Sequence, residues 1–398
     1  MKKLFISVMS AIVMAVGAFG IVPSTVKTAD AVSETSAVYT TDDLSNLQDF
    51  LLAKPTDEDL SDKDYDLNDD GVWNTFDLVL MRQKVAAESR PADRSNIVQT
   101  ADVPMVTLNN GVQMPRLGLG TQIQSLERDS SESGRQLLND TSHDAVVAAL
   151  QSGYRHLDTA HGYYNERGVG QGIIDSGVPR EEIWLTSKLW PSEYGEGVTM
   201  EAIDKMLERL QTDYLDCIYL HHPAGDYVGA WKDLEKAYKQ GKVRAIGISN
   251  FDNWPEAFYA IVDDMEIKPQ IMQIECHPFA QRLETRALAE KYNIQVECWY
   301  PLGHADARLL NQDVLQSIAD AHGKSVVQII LRWHMQEGFS AVPGSTNPAH
   351  IQENIEIFDF ELTDEEMEKI RALDQGESGR YFNLNYQFMG GFFTNPID

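Results

Sequence analysis

From residue 116 onward, short apolar runs alternate with longer amphipathic stretches. Eight runs have the length and the content of aliphatic, β-branched and aromatic residues that are typical of buried strands. They are residues 116–121, 156–160, 183–188, 217–222, 243–249, 271–276, 295–300 and 340–344. Between them, apolar residues recur at helical spacing, as in residues 144–153, 200–211 and 231–241. Eight strand–helix alternations predict an α/β fold, a (β/α)8 TIM barrel of parallel strands inside a ring of helices.

Four further segments of the barrel region have patterns of their own. Asn110-Gly111 lies between two alternating runs and predicts an N-terminal hairpin. Residues 123–140 are polar and rich in serine, and we expect a loop insertion above the barrel mouth. Residues 364–374 follow Thr363, a suitable N-cap, and predict a final helix. The aromatic tail 380–393 shows no periodicity.

The N-terminus has the pattern of a targeting segment. Lys2 and Lys3 precede an apolar run, residues 4–22, and Ala29-Asp30-Ala31 offers a small-residue cleavage site. The pattern predicts a secretory signal peptide, residues 1–31, and a secreted protein. The apolar run is just long enough to span a bilayer, so an uncleaved membrane anchor is the alternative.

An acidic stretch further on contains a twelve-residue segment, 66–77, with oxygen ligands at alternate positions. Gly71 stands at the sixth position, where a calcium loop turns sharply. Calcium takes six to eight hard oxygen ligands, and this spacing wraps them around one ion. The candidate ligands are Asp66, Asn68, Asp70, the carbonyl of Val72, Asn74 and Asp77. The alternative is an acidic, solvated linker.

Residues 66–85, a calcium loop closed by Asp77 and followed by an apolar and basic helix, resemble the dockerin family. The resemblance implies a small all-α domain, residues 32–88, that binds a cohesin module of an extracellular assembly. Residues 42–52 look like the helix of a first repeat, but Val32, Glu34 and Ser36 stand where its loop would need ligands. One calcium ion is therefore expected. Residues 89–101 are polar and predict a linker.

The net charge restricts the possible partners, and the cysteines indicate whether disulfides are expected. The formal net charge of -28 argues against nucleic acid and against an anionic membrane surface as partners. The three cysteines, Cys217, Cys276 and Cys298, fall in apparent strands or at strand ends and do not suggest a disulfide framework. We expect buried free thiols.

The candidate chemistry is concentrated at the ends of successive strands. Asp158 ends the second strand, and Tyr163 follows in the loop; Lys188 ends the third strand and His221 the fourth. Barrel enzymes place their chemistry at these carboxyl ends. A phenol is a weak acid at neutral pH, and an ammonium close by stabilises its phenolate. A lysine in this place would be costly to bury without a partner, and Asp158 is the natural one.

The segment Asp158-Thr-Ala, followed by Tyr163 and Asn165-Glu166, resembles the aldo-keto reductase family. The resemblance covers residues 104–385, nearly all of a barrel domain at 102–398. It implies NAD(P)H as cofactor, a small carbonyl substrate and a catalytic set of Asp158, Tyr163, Lys188 and His221. In the family the tail folds over the substrate pocket.

The resemblance also implies which residues bind the cofactor and the substrate. The expected cofactor contacts are Thr121, Ser249, Asn250, Gln273, Trp299, Leu302, Ser345, His350, Glu353 and Asn354. Trp190 is expected to line the substrate pocket, together with His222, which stands where the family usually has Trp. Adjacent histidines on one strand point to opposite faces, so we expect His221 and His222 not to share a metal ion.

Two departures concern the choice of cofactor. In the family, a Lys and an Arg grip the 2′-phosphate of NADPH; here Gly344 and His350 stand in those places. A phosphate is best held by fixed cations. We therefore expect weak discrimination for NADPH, with NADH used comparably or better. Since no supply of reduced cofactor is evident outside a cell, the alternative function is a scaffold-borne nicotinamide-binding module with little turnover.

Overall fold

The computed structural model describes Tyr65, Met81 and residues 102–123, 131–382 and 393–397. The chain divides into two units, Met1–Glu88 and Ser89–Asp398. Of the first unit, the described residues are Tyr65 and Met81, and both side chains are buried. The predicted signal peptide, the dockerin-like module with its calcium loop, and the linker up to residue 101 lie outside the described residues.

The described part of the second unit begins with residues 102–104 and the predicted hairpin. Strand β1 (Met105–Thr107) pairs antiparallel with β2 (Gln113–Pro115). Gly111 has φ +83°, a left-handed conformation that glycine adopts without a steric penalty. The hairpin side chains Leu108 and Met114 are buried in an apolar cluster with residues from inside the barrel. The hairpin therefore closes one end of the barrel.

Eight parallel strands follow one another around the sheet in chain order. They are β3 (Leu119–Gly120), β4 (His156–Asp158), β5 (Trp184–Leu189), β6 (Leu215–Leu220), β7 (Val243–Ser249), β8 (Ile271–Glu275), β9 (Gln295–Trp299) and β10 (Ser340–Ala341). Parallel bridges between Leu117 and Ala341 and between Gly120 and Gly344 connect the first strand to the last. The predicted parallel barrel is therefore confirmed.

Helices pack outside the strands and enclose an apolar core. They are α1 (Glu132–Gln151), α2 (Glu166–Ser176), α3 (Thr199–Leu210), α4 (Tyr227–Lys239), α5 (Pro255–Val262), α6 (Leu283–Lys291), α7 (Ala307–Leu310), α8 (Asp313–His322), α9 (Val326–Gln336), α10 (Pro348–Ile355) and α11 (Asp364–Arg371). The predicted final helix is confirmed, with Thr363 and Glu366 forming its capping box. Within the described ranges, none of these helices has the length and apolarity needed to cross a bilayer.

The prediction of a loop over residues 123–140 is wrong from residue 131 onward. Helix α1 begins at Glu132, where Ser131 Oγ accepts a hydrogen bond from the Gly134 N–H at 3.1 Å. A serine N-cap satisfies one of the open N–H groups of the first turn. The first turns of α1 are largely exposed, with Leu138 as their buried contact. The polar composition of residues 131–140 therefore belongs to an exposed helix and not to a loop, because a helix needs only one apolar side to pack.

Alternation along the strands separates an inner from an outer set of side chains. Trp184, Cys217, Tyr219, Ala245 and Ile271 form a cluster with the hairpin, apart from the main core beneath the helices. Positions two residues apart on a strand face the same way. Polar and charged side chains continue the inner set towards the carboxyl ends of the strands, where the site lies. All three cysteines are buried free thiols, as expected.

Candidate active site

Four side chains from successive strand ends meet at the barrel mouth. Lys188, in β5, donates from Nζ to Asp158 Oδ1 at 2.6 Å and to the Thr159 carbonyl at 2.9 Å. The same ammonium lies 3.2 Å from the Tyr163 hydroxyl oxygen. The ring of His221 meets the Tyr163 ring edge-on, with centroids 5.7 Å apart. The predicted set of Asp158, Tyr163, Lys188 and His221 is thus assembled in one place. We call these four residues the tetrad.

Lys188 retains its positive charge although it is buried. Burial alone would lower its pKa, but attraction to Asp158 and Tyr163, with hydrogen bonds to both, raises the pKa of Lys188 above its ordinary value. Its three ammonium hydrogens have three acceptors: Asp158, Thr159 and Tyr163. The ammonium is therefore fixed in position and remains charged at neutral pH.

Tyr163 lies in a short 3-10 turn, His161–Tyr163, between β4 and α2. The residue after it, Tyr164, has the left-handed φ of 56°, which ends the turn. Asn165 then ties the loop to neighbouring strands: its Oδ1 accepts from Thr159 Oγ1 at 2.9 Å, and its Nδ2 donates to the Thr121 carbonyl at 2.8 Å. The sequence motif therefore positions the tyrosine through a buried asparagine.

The expectation that His221 and His222 point to opposite faces is wrong. Their rings stack in parallel, with centroids 4.4 Å apart and planes 7° from parallel. Strand β6 ends at Leu220, so the alternation of strand side chains no longer applies to the two histidines. The Trp190 ring lies edge-on to both, at 5.5 and 5.3 Å, and Phe393 of the tail lies 4.4 Å from His222. The predicted pocket residues Trp190 and His222 are therefore brought together beside His221.

Glu193 fixes the position of Trp190. Its carboxylate accepts from the Trp190 backbone N–H at 2.7 Å and pairs with His161 Nδ1 at 2.8 Å. Glu193 belongs to the short turn that follows β5, three residues after Trp190. This contact places an aromatic wall next to the tetrad.

Below the tetrad, a buried polar network continues into the barrel. Gln273 Nε2 donates to Asp158 Oδ2 and to Glu297 Oε1, each at 2.8 Å. Tyr219 also donates to Glu297 Oε1, at 2.9 Å. His156 Nε2 lies 3.5 Å from Glu297 Oε2. His156, Tyr219 and Glu297 were missed by the sequence analysis.

The sequence contained the information needed to predict two of these residues. His156 stands two residues before Asp158 in β4, and Glu297 stands two residues before Trp299 in β9. Side chains two apart on a strand share a face, so both had to face the barrel interior if Asp158 and Trp299 do. Charged groups are rarely buried without a partner, which would have predicted their pairing.

The network determines which end of the Gln273 amide faces outward. Its Nε2 donates to two carboxyl groups, Asp158 and Glu297, and an amide nitrogen has only two hydrogens. Gln273 Oε1 lies 3.4 Å from Ser249 Oγ at the end of β7. A ligand at this strand end therefore meets an acceptor oxygen of Gln273.

A cleft of about 340 Å³ adjoins the tetrad. Asp158 and Tyr163 line one part of it, and Ser345, Thr346 and His350 line another. Five of the predicted cofactor contacts are in its lining: Thr121, Trp299, Leu302, Ser345 and His350. Among the residues that the structure describes, no lysine or arginine lines the cleft. Its volume lies in the usual range for ligand sites.

The other predicted cofactor contacts lie outside the described lining of this cleft. Ser249 ends β7 and Asn250 follows it; Asn250 Nδ2 donates to the His221 carbonyl at 2.9 Å. They belong with Gln273 beside the tetrad. Glu353 and Asn354 lie in α10, and Asn354 is buried. These two lie in the same helix as His350 but do not line the described cleft.

Gly344 and Gly120 approach each other at the edge of the cleft. The two residues form a parallel bridge, and a Cβ added at Gly344 would lie 3.1 Å from the Gly120 carbonyl oxygen. A Cβ added at Gly120 would lie 2.7 Å from the Val342 carbonyl oxygen. The absence of a Cβ at both positions therefore lets the first and last barrel strands approach closely. At position 344, glycine also places no cationic side chain at the cleft.

The start of the tail is fixed to the barrel by a buried carboxylate. Glu275, at the end of β8, accepts from the backbone N–H groups of Tyr381 at 2.6 Å and Phe382 at 3.2 Å. This places the Phe382 ring beside Trp299 and Tyr300, with centroids 5.5 and 5.2 Å away. The described start of the tail thus lies next to the residue expected to stack on the cofactor.

A closed parallel barrel, with a titratable cluster at the carboxyl ends of its strands and a cleft beside it, defines an α/β-barrel enzyme. A model of the Aldo/keto reductase family matches residues 116–375. The chain belongs to this family and is an oxidoreductase.

Relatives and solved structures agree with this assignment. Glyoxal reductase of Bacillus subtilis (strain 168) is 45% identical over 273 residues, which cover 68% of this chain and 93% of that protein. The 9,11-endoperoxide prostaglandin H2 reductase of Trypanosoma cruzi (strain CL Brener) is 43% identical over 272 residues, covering 68% of this chain and 91% of its own length. The crystal structure of an aldo/keto reductase from Brucella melitensis has TM-score 0.62 and 40% identity, covering 68% and 100% of the two chains. A Bombyx mori aldo-keto reductase in complex with NADP has TM-score 0.64 and 30% identity, covering 73% and 97%.

Proposed function

We propose that this protein reduces an aldehyde or ketone to an alcohol with NADH or NADPH. The observation that carries the proposal is the position of Lys188 Nζ between Asp158 and the Tyr163 hydroxyl, at 2.6 and 3.2 Å. This arrangement can deliver a proton to a carbonyl oxygen. The family's named reductases support carbonyl reduction as the reaction class.

Tyr163 is the proposed proton donor. Because Lys188 donates to the phenol oxygen, the phenol's own hydrogen is directed to another acceptor, such as the oxygen of a bound carbonyl. The ammonium stabilises the phenolate that remains after transfer, and Asp158 keeps the ammonium in place. His221, beside the ring of Tyr163, is the proposed second donor to the carbonyl oxygen. General acid catalysis of this kind typically contributes about 10²–10⁴-fold in rate.

The residues present fit a nicotinamide cofactor. The cofactor, when bound, supplies the hydride that the carbonyl carbon receives. Gln273 Oε1 offers an acceptor for the carboxamide NH2, because both hydrogens of its own amide nitrogen are used inside the barrel. Ser249 and Asn250 would complete this contact, and the partly exposed Trp299 would cover one face of the ring. Mixed NADH and NADPH use is proposed, because the described lining lacks a lysine or arginine for a 2′-phosphate.

The proposed substrate side lies between the tetrad and the tail. Trp190, His222 and Phe393 form an aromatic wall there. The ring centroid of Phe393 lies 5.8 Å from that of Trp190 and 4.4 Å from that of His222. Such a wall favours flat, apolar groups next to the reacting carbonyl. Small aromatic aldehydes are therefore the first substrates to test, with sugar-derived aldehydes as the polar comparison.

The test uses the full chain with NADH and NADPH against a panel of aromatic and sugar-derived aldehydes. Binding of each cofactor is measured by quenching of tryptophan fluorescence, and turnover by the absorbance of the reduced cofactor. Turnover with at least one aldehyde is the expected result. Tight cofactor binding without turnover on any carbonyl would instead support the scaffold-borne binding module.

We further propose that the protein is secreted and that residues 32–88 bind one calcium ion and a cohesin module. The support comes from sequence patterns: the basic and apolar leader with its cleavage site, and the oxygen ligands of segment 66–77. A dockerin-like module would hold the reductase in an extracellular assembly.

A further inference from the structure

Two buried polar atoms inside the barrel face each other without any other partner. They are His156 Nε2 and Glu297 Oε2, 3.5 Å apart, and neither makes a hydrogen bond within the described structure. Both side chains are 0% exposed. A buried polar atom without a partner is costly, so this pair requires an explanation.

The positions of the hydrogens on the pair follow from its neighbours. His156 Nδ1 lies 2.9 Å from the Pro115 carbonyl oxygen, which can only accept, so Nδ1 carries a hydrogen. In a neutral imidazole the other nitrogen, Nε2, is then an acceptor. Glu297 Oε1 already accepts from Tyr219 and Gln273, which leaves Oε2 to face the imidazole. One proton on Glu297 Oε2 makes that oxygen a donor and satisfies both atoms.

The surroundings favour placing this proton on the carboxyl group. Burial raises the pKa of Glu297; the nearby His156 lowers it to a smaller extent, and the charge of Asp158 raises it again. The other titratable groups that face Glu297 are Tyr219 and Cys217 from β6. The ammonium of Lys188 pairs with Asp158 at 2.6 Å, and the Gln273 amide bridges Asp158 and Glu297. A proton on Glu297 leaves one carboxylate in this network for the one ammonium.

The pair connects directly to the active site. Glu297 Oε1 holds one hydrogen of the Gln273 amide, and Asp158 holds the other. Asp158 in turn holds the ammonium of Lys188. Without Glu297 the Gln273 amide loses one of the two contacts that fix its orientation, and with it the outward direction of its oxygen.

We propose that Glu297 is a protonated carboxylic acid that donates to His156, and that it acts as a positioning residue for the nicotinamide carboxamide through Gln273. The second part rests on the proposed function, since it requires a nicotinamide cofactor; the first part does not. A neutral acid adds no charge beside Asp158 and Lys188, so the Asp158–Lys188 pair remains electrically balanced.

The protonation state is tested without any ligand. Infrared difference spectra between the wild-type full chain and Glu297→Gln at neutral pH should show the C=O stretch of a protonated carboxylic acid in the wild type only. Glutamine has nearly the same shape and can still accept from Tyr219 and donate to His156, so this variant should fold. Absence of that band from the wild type would overturn the assignment of the proton.

The positioning role is tested by comparing two ligands. NADP+ contains the carboxamide, whereas 2′-phospho-ADP-ribose keeps the adenosine and pyrophosphate without the nicotinamide. Glu297→Met should weaken NADP+ binding at least about tenfold and change binding of the fragment less than about twofold. Glu297→Gln should hold NADP+ within about threefold of the wild type.

Asp216→Asn is the matched control for the loss of a buried carboxylate. Asp216 is 0% exposed and pairs with Arg180 at 2.9 Å and Arg244 at 2.6 Å, outside the inner network. This variant should lose stability and keep both affinities. Equal weakening of NADP+ and the fragment by Glu297→Met, or no weakening of either, would refute the positioning role. Failure of the wild type to bind either NADP+ or NAD+ would instead refute the proposed function, and the infrared result would still stand.

Discussion

Lys188 Nζ lies 2.6 Å from Asp158 Oδ1, and the two side chains are only 1% and 4% exposed. A buried charge is tolerated when its partner is close and its remaining hydrogens are satisfied. Here the third hydrogen is directed at Tyr163, at 3.2 Å. The ion pair therefore serves the hydroxyl that is proposed to transfer the proton.

Lys188→Met should reduce kcat by at least about a hundredfold, since the phenolate of Tyr163 loses its ammonium. It should also destabilise the barrel by about 3–5 kcal/mol, because Asp158 is left as an uncompensated buried charge. Steady-state kinetics and chemical denaturation measure the two effects. Lys205→Met, which removes an exposed lysine paired with Glu201 on α3, is the control and should change neither. Unchanged turnover in Lys188→Met would exclude the ammonium from catalysis.

Tyr163→Phe should remove carbonyl reduction and leave cofactor binding nearly intact, because the ring volume is kept and only the hydroxyl is lost. A loss of kcat of at least about a hundredfold is expected for a missing general acid. Kinetics together with fluorescence titration of NADPH check both parts. Tyr164→Phe, at the next position of the same loop, should retain activity. Near-wild-type turnover of Tyr163→Phe would remove this residue from the mechanism.

Gly344→Lys should shift preference towards NADPH by about 1.5–3 kcal/mol if the new ammonium makes one charged hydrogen bond to the 2′-phosphate. The new Cβ would lie 3.1 Å from the Gly120 carbonyl oxygen, so the strand ends must yield by a few tenths of an ångström. Gly344→Ala carries the same Cβ without the charge and isolates that effect. The ratio of kcat/KM for the two cofactors is the measurement.

The wild type provides the decisive comparison for cofactor choice. Comparable kcat/KM with NADH and NADPH is expected, since Ser345 and Thr346 can offer only neutral donors to a phosphate. A wild-type preference for NADPH of about a hundredfold or more, roughly 2.7 kcal/mol, would show that neutral donors suffice. The explanation based on Gly344 and His350 would then be wrong.

Asp66→Ala combined with Asp70→Ala should abolish calcium binding and leave the barrel folded, because both residues belong to segment 66–77. Calorimetry on the wild type should find about one bound calcium, with a gain of helix on binding. Asp62→Ala, outside the segment, is the matched control. Two equivalent ions, or none, in the wild type would contradict a module with one intact loop.

The lowered pKa of His334 predicts how the free energy of unfolding of the barrel depends on pH. Burial lowers the pKa of His334 to about 4, with Nδ1 2.8 Å from the Ile330 carbonyl and Nε2 3.1 Å from the Cys276 carbonyl. Between about pH 6.5 and this value the unfolded chain binds the proton more readily, so stability falls as the pH falls. The free energy of unfolding of the barrel should fall by about 2 kcal/mol from this residue at pH 5. His334→Gln should lose that part of the pH dependence in denaturant titrations at pH 7.5 and 5; identical pH dependence in both proteins would contradict it.

The sequence alone was sufficient for the barrel strands and for the side chains of the candidate site that the structure brings together. Short apolar runs with residues two apart on the same face are a local property, and they identify strands without knowledge of their neighbours. Asp158 and Lys188 end such runs, and parallel strands end at one edge of a barrel, so their meeting could be predicted. The hairpin at Gly111 followed in the same way, from the turn conformation that glycine permits.

Only the tertiary structure decided the features that depend on where an element stops or on distant partners. Helix α1 begins at Glu132, not at residue 144, because one buried side is enough to hold a polar helix against the barrel. Strand β6 stops at Leu220, so His221 and His222 stack instead of facing apart. His156 and Glu297 meet across the barrel from strands far apart in the chain. Such pairings depend on which side chains the closed sheet brings within hydrogen-bonding reach, and local periodicity carries no information about that distance.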